Sequence, residues 1–372
     1  LSCLMPFATL DVISETVLDF DEFSERAKQA IIEGHYDLVL LDLRLGGIKE
    51  DFIVDPEQMS GYKVLQIIKQ CNRGTQVIML TASNKAWNLK ALMSGATGAD
   101  GYFVKESPEY EFSDELSRAN LRSLISDMEH CLEQRYLVEF WSFVRSLEQV
   151  ESELAGEIRT QLEIAYEMAA RAVKQEDYSY AFLALYQVVE IVTSALTDWT
   201  IDTSDKNSKL LYLPREKSYS KELVVPSDTE VLWRLKPLAL ERIGVNGIFP
   251  QKKKLAALYL QAWEKEDRGI LFLMDQLIAI RNAFIHPDNS KLFETKTAIN
   301  EGQFSMNAYF KDEKYIFGTT SFKTLFREAC TKGLLFVDSG GRPVLHRDVI
   351  KSQTGIKFMY ECLKEILPMV KI

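Results

Sequence analysis

The chain has 372 residues, is 47% apolar and 26% charged, and carries a formal net charge of −10. That length allows two or three domains with ample core, in a composition ordinary for a soluble globular protein. The acidic balance excludes a large nucleic-acid-coating surface, leaving room only for a local basic cleft.

The first 110 residues alternate strands and helices. Tyr36 to Asp42, YDLVLLD, is a short apolar run ending in an acid. Gln76 to Ser83, QVIMLTAS, ends in Thr81 and small residues, and Gly101 to Lys105, GYFVK, ends in a lysine. Amphipathic segments at Glu22 to Gly34, Gly61 to Gln70 and Ala86 to Gly95 separate or follow these runs. Continuously apolar strands alternating with helices predict a parallel doubly wound sheet. Working groups in such sheets lie at the carboxyl ends of the strands, where Asp42, Thr81 and Lys105 all fall.

This ordered set resembles response-regulator receiver domains. The resemblance implies that Asp42 accepts a phosphoryl group from a sensor histidine kinase and helps to hold the Mg²⁺ needed for phosphorylation. Thr81 would bond the phosphoryl oxygen, Lys105 would pair with the phosphoryl group, and Tyr102 would be the rotating switch aromatic. A receiver-like fold without phosphorylation is the alternative. Receivers also carry an acidic pair at the end of strand one, which is not identifiable here. Asp19, Asp21 and Glu22 follow strand two, so the chain is expected to begin late, by about 25 to 35 residues, one strand–helix unit. The loop Leu45 to Ser60 is longer than usual for this family, and Lys105 is followed by Glu106-Ser107-Pro108 rather than directly by proline.

From Phe112 apolar residues recur at helical steps, at Leu121, Leu124, Met128, Leu132, Phe140, Val144 and Leu147. No Gly or Pro interrupts Glu109 to Ala155. Residues 111–150 are therefore expected to finish the receiver and continue as one or two connecting helices. Their apolar stripe pairs with a twin or packs on its own output domain.

Residues 151–372 read as a mainly helical output domain. Ser152 to Gln175 and Tyr178 to Thr197 are predicted helices, the second apolar nearly all round, with Asp177 at its start. Ile201 to Asp228 is polar and reads as an irregular insertion, part of a longer one over 201–250. Leu232 to Leu240 and Lys252 to Lys265 look helical. Lys252-Lys253-Lys254 is either part of a basic cleft or a solvated helix start. Leu334 to Val337 and Pro343 to Leu345 suggest a small β-hairpin around Asp338-Ser339-Gly340-Gly341. His346 reads as surface, and Thr354 to Leu367 as a final helix.

The most informative stretch is Leu271 to Asn289, LFLMDQLIAIRNAFIHPDN. Leu273, Met274, Leu277, Ile278, Phe284 and Ile285 fall at three- and four-residue steps, and Pro287 stops the helix near His286. Residues five apart point about 140° from each other on a helix, from ~3.6 residues per turn. Arg281 and His286 of one chain therefore do not converge, whereas two copies across a two-fold axis bring both pairs into one cleft. An arginine that clamps phosphate and a histidine that moves protons suffice to cleave RNA. The alternative is that both are cations favoured at a helix C-terminus.

Arg281-Asn282-Ala283-Phe284-Ile285-His286 resembles the signature of HEPN ribonucleases: arginine, a polar residue, then histidine. Tyr186 and Glu190 resemble a helix that packs beside the catalytic one in CRISPR-associated members. The resemblance implies a homodimeric endoribonuclease acting on single-stranded RNA, in defence or stress response, with no cofactor for cleavage. Arg281, Asn282 and His286 would be its catalytic residues. Glu190 in an apolar helix wants a partner, and its pairing with Arg281 is a structural alternative to catalysis.

The fold class expected is thus an α/β doubly wound receiver domain over 1–110, a connecting helix over 111–150, and a HEPN-like helical bundle over 151–372. A non-enzymatic signalling adaptor with a dimerising helical domain is the second functional reading. Specific DNA binding is the least supported, given the charge and the missing helix-turn-helix. Cys3, Cys71, Cys131, Cys330 and Cys362 form no CxxC or Cys/His cluster, so a reducing cytoplasm is the simplest location. No apolar run approaches the ~18 residues of a membrane span, and LSCLMPFATL lacks a signal peptide's basic start.

Overall fold

Three short parallel strands form the centre of the first unit of the computed structural model. The structure describes residues 11–13, 20–34, 36–45, 55–81, 98–105, 114–175, 177–196, 198–201, 209–212, 224–226, 232–235, 268–285, 297–298, 320–337 and 343–370. They divide into two units, Leu1–Ser146 and Leu147–Ile372, and helix predominates.

In the first unit, β1 (Leu38–Asp42), β2 (Gln76–Thr81) and β3 (Gly101–Val104) pair in that order, all parallel. The strand interiors are apolar because helices cover both faces of the sheet. Leu41, Val77 and Met79 pack with Ala27 and Ile31 of α1 (Phe20–Gly34) and Leu65 of α2 (Ser60–Cys71). On the other face Ile78, with Leu40 and Leu80, packs against Leu124, Met128 and Cys131 of α3 (Asp114–Glu133). The strict alternation of neighbours along β2 is the period of two that a strand imposes.

The connecting stretch does not run on as a single helix. It turns at Gln134–Arg135 and continues as α4 (Tyr136–Ser146), which belongs to the first unit. The turn before β2 holds α4. Asn72 donates to the Val138 carbonyl at 3.1 Å and to Ser142 Oγ at 3.0 Å, and the Arg73 guanidinium lies 4.7 Å from the Trp141 ring. Beneath this turn Lys69 is 1% exposed. Its ammonium donates to Asp100 Oδ2 at 2.7 Å and to the Thr75 carbonyl at 2.8 Å. Asp100 Oδ2 also accepts from Val77 N at 2.8 Å, so the buried charge is paired and bonded on both sides.

In the second unit α5 (Glu153–Gln175) and α6 (Ser179–Leu196) pack along each other. Both begin where capping oxygens stand: Ser152 Oγ accepts from Ala155 N, and Asp177 Oδ1 accepts from Ser179 N. α7 (Arg268–Ile285) and α9 (Gln353–Ile366) complete the bundle, and α8 (Thr320–Thr331) packs on α9. α7 ends at Ile285, close to the stop expected from Pro287.

Several expectations need correction. The 201–250 region is not wholly irregular: β4 (Asp198–Ile201), β5 (Lys209–Tyr212), β6 (Val224–Pro226) and β7 (Leu232–Leu235) form an antiparallel sheet in the order β4-β5-β7-β6. Leu232 to Leu235, read as helical, is therefore a strand. Runs of three or four residues are too short to show a period, and it is partner strands far away in sequence that select extended backbone. The hairpin of β9 (Leu335–Val337) and β10 (Pro343–Leu345) is present, with a third strand, β8 (Thr297–Ala298), added beside β9. α8 was not foreseen. His346 is half-buried rather than a surface residue: its Nδ1 accepts from Asp348 N at 3.2 Å, and its ring lies 4.6 Å from that of Phe336. The expected helices at Ala86 to Gly95 and Lys252 to Lys265, and with the latter the lysine run, lie outside the described residues.

Candidate functional site

Two constellations of charged and polar side chains stand out, one in each unit. In the first, register places the strand ends side by side: Asp42 lies opposite Leu80, and Thr81 opposite Val104. Leu43 N donates to the Leu80 carbonyl at 2.9 Å, and Lys105 N to the Thr81 carbonyl at 2.6 Å. The Lys105 ammonium forms an ion pair with Asp42 Oδ2. The two side chains are 41% and 38% exposed, so both are open to solvent. Arg44 N lies 3.3 Å from Asp42 Oδ1. Thr81 is buried beside them, and Tyr102 is exposed on β3.

The loop beyond Asp42 is held by the start of α2. Gly61 N donates to the Leu43 carbonyl at 3.0 Å, and Leu45 N donates to Ser60 Oγ at 2.8 Å. A Cβ on Gly61 would lie 2.1 Å from the Asp42 carbonyl oxygen and 2.6 Å from that of Leu43. Glycine here permits the close approach that sets where Asp42 leaves the strand. Sequence reasoning missed Gly61 and Ser60 as supports; the only signal was a Ser-Gly pair opening a helix.

For Mg²⁺, Asp42 supplies one carboxylate. Among the described residues no group of three or more His, Cys, Asp or Glu could hold a metal ion.

In the second unit α7 and α6 bring Arg281, Tyr186 and Glu190 together. The Arg281 guanidinium lies 5.1 Å from the Tyr186 ring centroid, and its Nη2 is 3.8 Å from Glu190 Oε1. The pairing with Glu190 anticipated from the sequence is present as a loose ion pair. Tyr186 and Glu190 are one helical turn apart, so one face of α6 presents an aromatic surface and a carboxylate to the same cation. Arg281 Nη1 lies 3.3 Å from Asn282 Oδ1, so the neighbouring amide holds the other side of the fork. Arg281 Nε is buried and has no hydrogen-bond partner among the described residues.

Burial pushes the Tyr186 phenol far above its ordinary range. The Glu190 carboxylate pushes it the same way, and the Arg281 charge opposes them. Tyr186 therefore remains a neutral phenol and is no candidate for a base. His286 lies outside the described residues. Its place is given by the chain alone, one residue past the end of α7.

α7 is itself anchored by a residue the sequence reading passed over. Gln276 is buried, and its Oε1 accepts from Leu345 N at 2.7 Å, tying the helix that carries Arg281 to the hairpin. A lone amide in the apolar run LFLMDQLIAI was the available signal. Among the described residues no helix is long and apolar enough to cross a membrane. No protein-family model, curated protein or solved structure matches the chain.

Proposed function

We propose that this chain is a receiver-controlled endoribonuclease that works as a homodimer in the cytoplasm, cutting single-stranded RNA in defence or stress response. The observation that carries this reading is the state of Arg281: a largely buried guanidinium resting on Tyr186, with a donor left over for a ligand oxygen. Arginine so placed is suited to bind phosphate.

In the proposed reaction His286 takes the proton of a ribose 2′-hydroxyl. The 2′-oxygen attacks phosphorus while the bond from phosphorus to the 5′-oxygen breaks. The His286 of a second copy gives a proton to that leaving oxygen, producing a 2′,3′-cyclic phosphate and a 5′-hydroxyl. Arg281 stabilises charge on the phosphorane oxygens, and Asn282 steadies Arg281. The first unit supplies control. Asp42 takes a phosphoryl group from a histidine kinase, Lys105 moves from the carboxylate to the new phosphoryl oxygens, and Thr81 and Tyr102 carry the change onward.

A second reading, a non-enzymatic signalling adaptor, is favoured by the same Arg281–Glu190 contact taken as a purely structural tie between α6 and α7. The two separate on one experiment. Purified full-length chain is incubated with a single-stranded RNA oligonucleotide in the presence of a chelator. The ribonuclease reading expects fragments ending in 2′,3′-cyclic phosphate, lost in His286→Ala and in Arg281→Lys while both variants stay folded. His286→Ala protein cutting as fast as the parent would sink it, and intact RNA with phosphorylated and unphosphorylated chain alike would establish the adaptor.

A further inference from the structure

The guanidinium of Arg281 is incompletely used. Its Nη1 meets Asn282 and its Cζ lies over the Tyr186 ring, 5.1 Å from the centroid, yet Nε has no partner among the described residues and Nη2 stands 3.8 Å from the Glu190 carboxylate. Nε and Nη2 form one edge of the planar fork, the edge that receives two oxygens of a carboxylate or a phosphate side by side. The Glu190 carboxylate stands 3.8 Å from Nη2, one corner of this edge, and does not close on it, since a charge-assisted hydrogen bond needs about 2.7–2.9 Å. Leaving a donor unsatisfied in a side chain only 16% exposed is costly. An oxyanion that bonds both nitrogens removes that cost.

We infer that Glu190 is an internal competitor: its carboxylate and a backbone phosphodiester of single-stranded RNA contend for the Nε/Nη2 edge of Arg281. The inference takes its ligand class from the ribonuclease reading but does not depend on cleavage. Glu190 keeps Arg281 neutralised while the site is empty, and it repels a phosphate arriving at the same edge. Tyr186, whose ring centroid lies 5.1 Å from the guanidinium carbon, keeps the cation near in both states while the oxygens exchange. Neutralising Glu190 removes the competitor and the repulsion together. Removing the charge of Glu190 therefore raises affinity for the anion, the opposite of what loss of a positioning residue does.

The test uses the full-length chain and a labelled single-stranded oligonucleotide with 2′-O-methyl riboses, which cannot be cut through the 2′-oxygen. Fluorescence anisotropy gives affinities for the parent, Glu190→Gln, Arg281→Lys and the double variant. The expectation is that Glu190→Gln binds at least about threefold tighter and Arg281→Lys at least about tenfold weaker, on the scale of one partly buried charge contact. Adding Glu190→Gln to Arg281→Lys should then change little, because the competition needs the Arg281 edge. Equal or weaker binding by folded Glu190→Gln overturns the inference, as does a gain of the same size in the Arg281→Lys background.

Should Glu190→Gln fail to fold, the parent alone decides. The Arg281 Nε–H resonance, assigned by its loss in Arg281→Lys, must shift when the oligonucleotide is added, and an unmoved resonance overturns the inference. The two readings fail separately. Parent-level RNA cleavage by His286→Ala removes the ribonuclease and leaves the anion edge standing, whereas an unaltered affinity in Glu190→Gln removes the competitor and leaves the ribonuclease.

Discussion

Gly61→Ala perturbs the proposed phosphoacceptor constellation without touching Asp42, Thr81 or Lys105. The added Cβ would sit 2.1 Å from the Asp42 carbonyl oxygen, 2.6 Å from the Leu43 carbonyl oxygen and 2.7 Å from Leu43 Cα. All three neighbours are backbone. The strand cannot give way freely, because Leu43 N is bonded to the Leu80 carbonyl at 2.9 Å. Relief requires the loop after β1 to retreat by roughly 1 Å, with loss of the Gly61 N to Leu43 carbonyl bond. Overpacking of this kind costs about 1–3 kcal/mol, and the lost bond adds about 1 kcal/mol. The expected destabilisation is therefore about 2–4 kcal/mol, read as a fall in the urea midpoint followed by circular dichroism.

The same displacement misplaces the Asp42 carboxylate relative to Lys105. Phosphoryl uptake from acetyl phosphate, followed by intact mass, should slow at least about tenfold, since errors of about 1 Å in reacting geometry can cost about a hundredfold. Gly156→Ala is the control. Gly156 lies in α5 with nothing within 4 Å of its added Cβ, so the change should be neutral or should stabilise by up to about 1 kcal/mol. Gly61→Ala with the parent's urea midpoint and the parent's rate of phosphoryl uptake would refute the reasoning.

Three further outcomes are expected. Asp42→Asn should take up no phosphoryl group from acetyl phosphate while keeping the parent's melting temperature to within a few degrees; the exposed pair with Lys105 contributes at most about 1 kcal/mol. Lys69→Met should cost about 2–4 kcal/mol by calorimetry, because it leaves Asp100 without its cation, and Lys69→Met/Asp100→Asn should recover part of that loss. Glu328 supplies a pH test. Burial alone would raise its carboxyl, but the hydrogen bond from Lys332, the charge of Lys357, the Thr354 hydroxyl and the charge of Lys332 together hold it below the usual range. A depressed folded value gives stability that is full above the unfolded value and is lost as pH falls through the folded one. The melting-temperature gap between the parent and Glu328→Gln should therefore be constant from about pH 7 to 5 and shrink below about pH 4. A gap that widens on acidification would contradict the network.

What the sequence disclosed depended on how local the deciding forces are. The strands at Leu38–Asp42 and Gln76–Thr81 were readable because helices cover both faces and leave continuous apolar runs. α6 and α7 were readable for the same reason, as was the stop near His286, where Pro287 acts within one residue. β4 to β7 were not, because their short segments take extended form only from one another. The position of the break at Gln134–Arg135 was also hidden: no Gly or Pro marks it, and beyond it Val138, Trp141 and Ser142 meet Asn72 and Arg73, which are distant in sequence. At the candidate sites, residue types that do chemistry were visible, whereas Gly61 and Gln276 act through one close approach and one hydrogen bond that only the fold creates. Whether Arg281 faces a ligand or merely ties two helices together was left open by spacing. The unmet Nε now gives that question a physical form.

The proposed shared cleft is tested most directly by mixing two chains expected to be inactive. Arg281→Ala and His286→Ala proteins are unfolded together, refolded as a mixture, and assayed on single-stranded RNA beside each variant refolded alone. A cleft built from two copies regains one arginine and one histidine in the mixed dimer, with water standing in for the second histidine, so slow cleavage, below the parent's rate, should reappear in the mixture and be absent from both separate samples. A mixture as inactive as its components, alongside an active parent treated in the same way, would contradict the account.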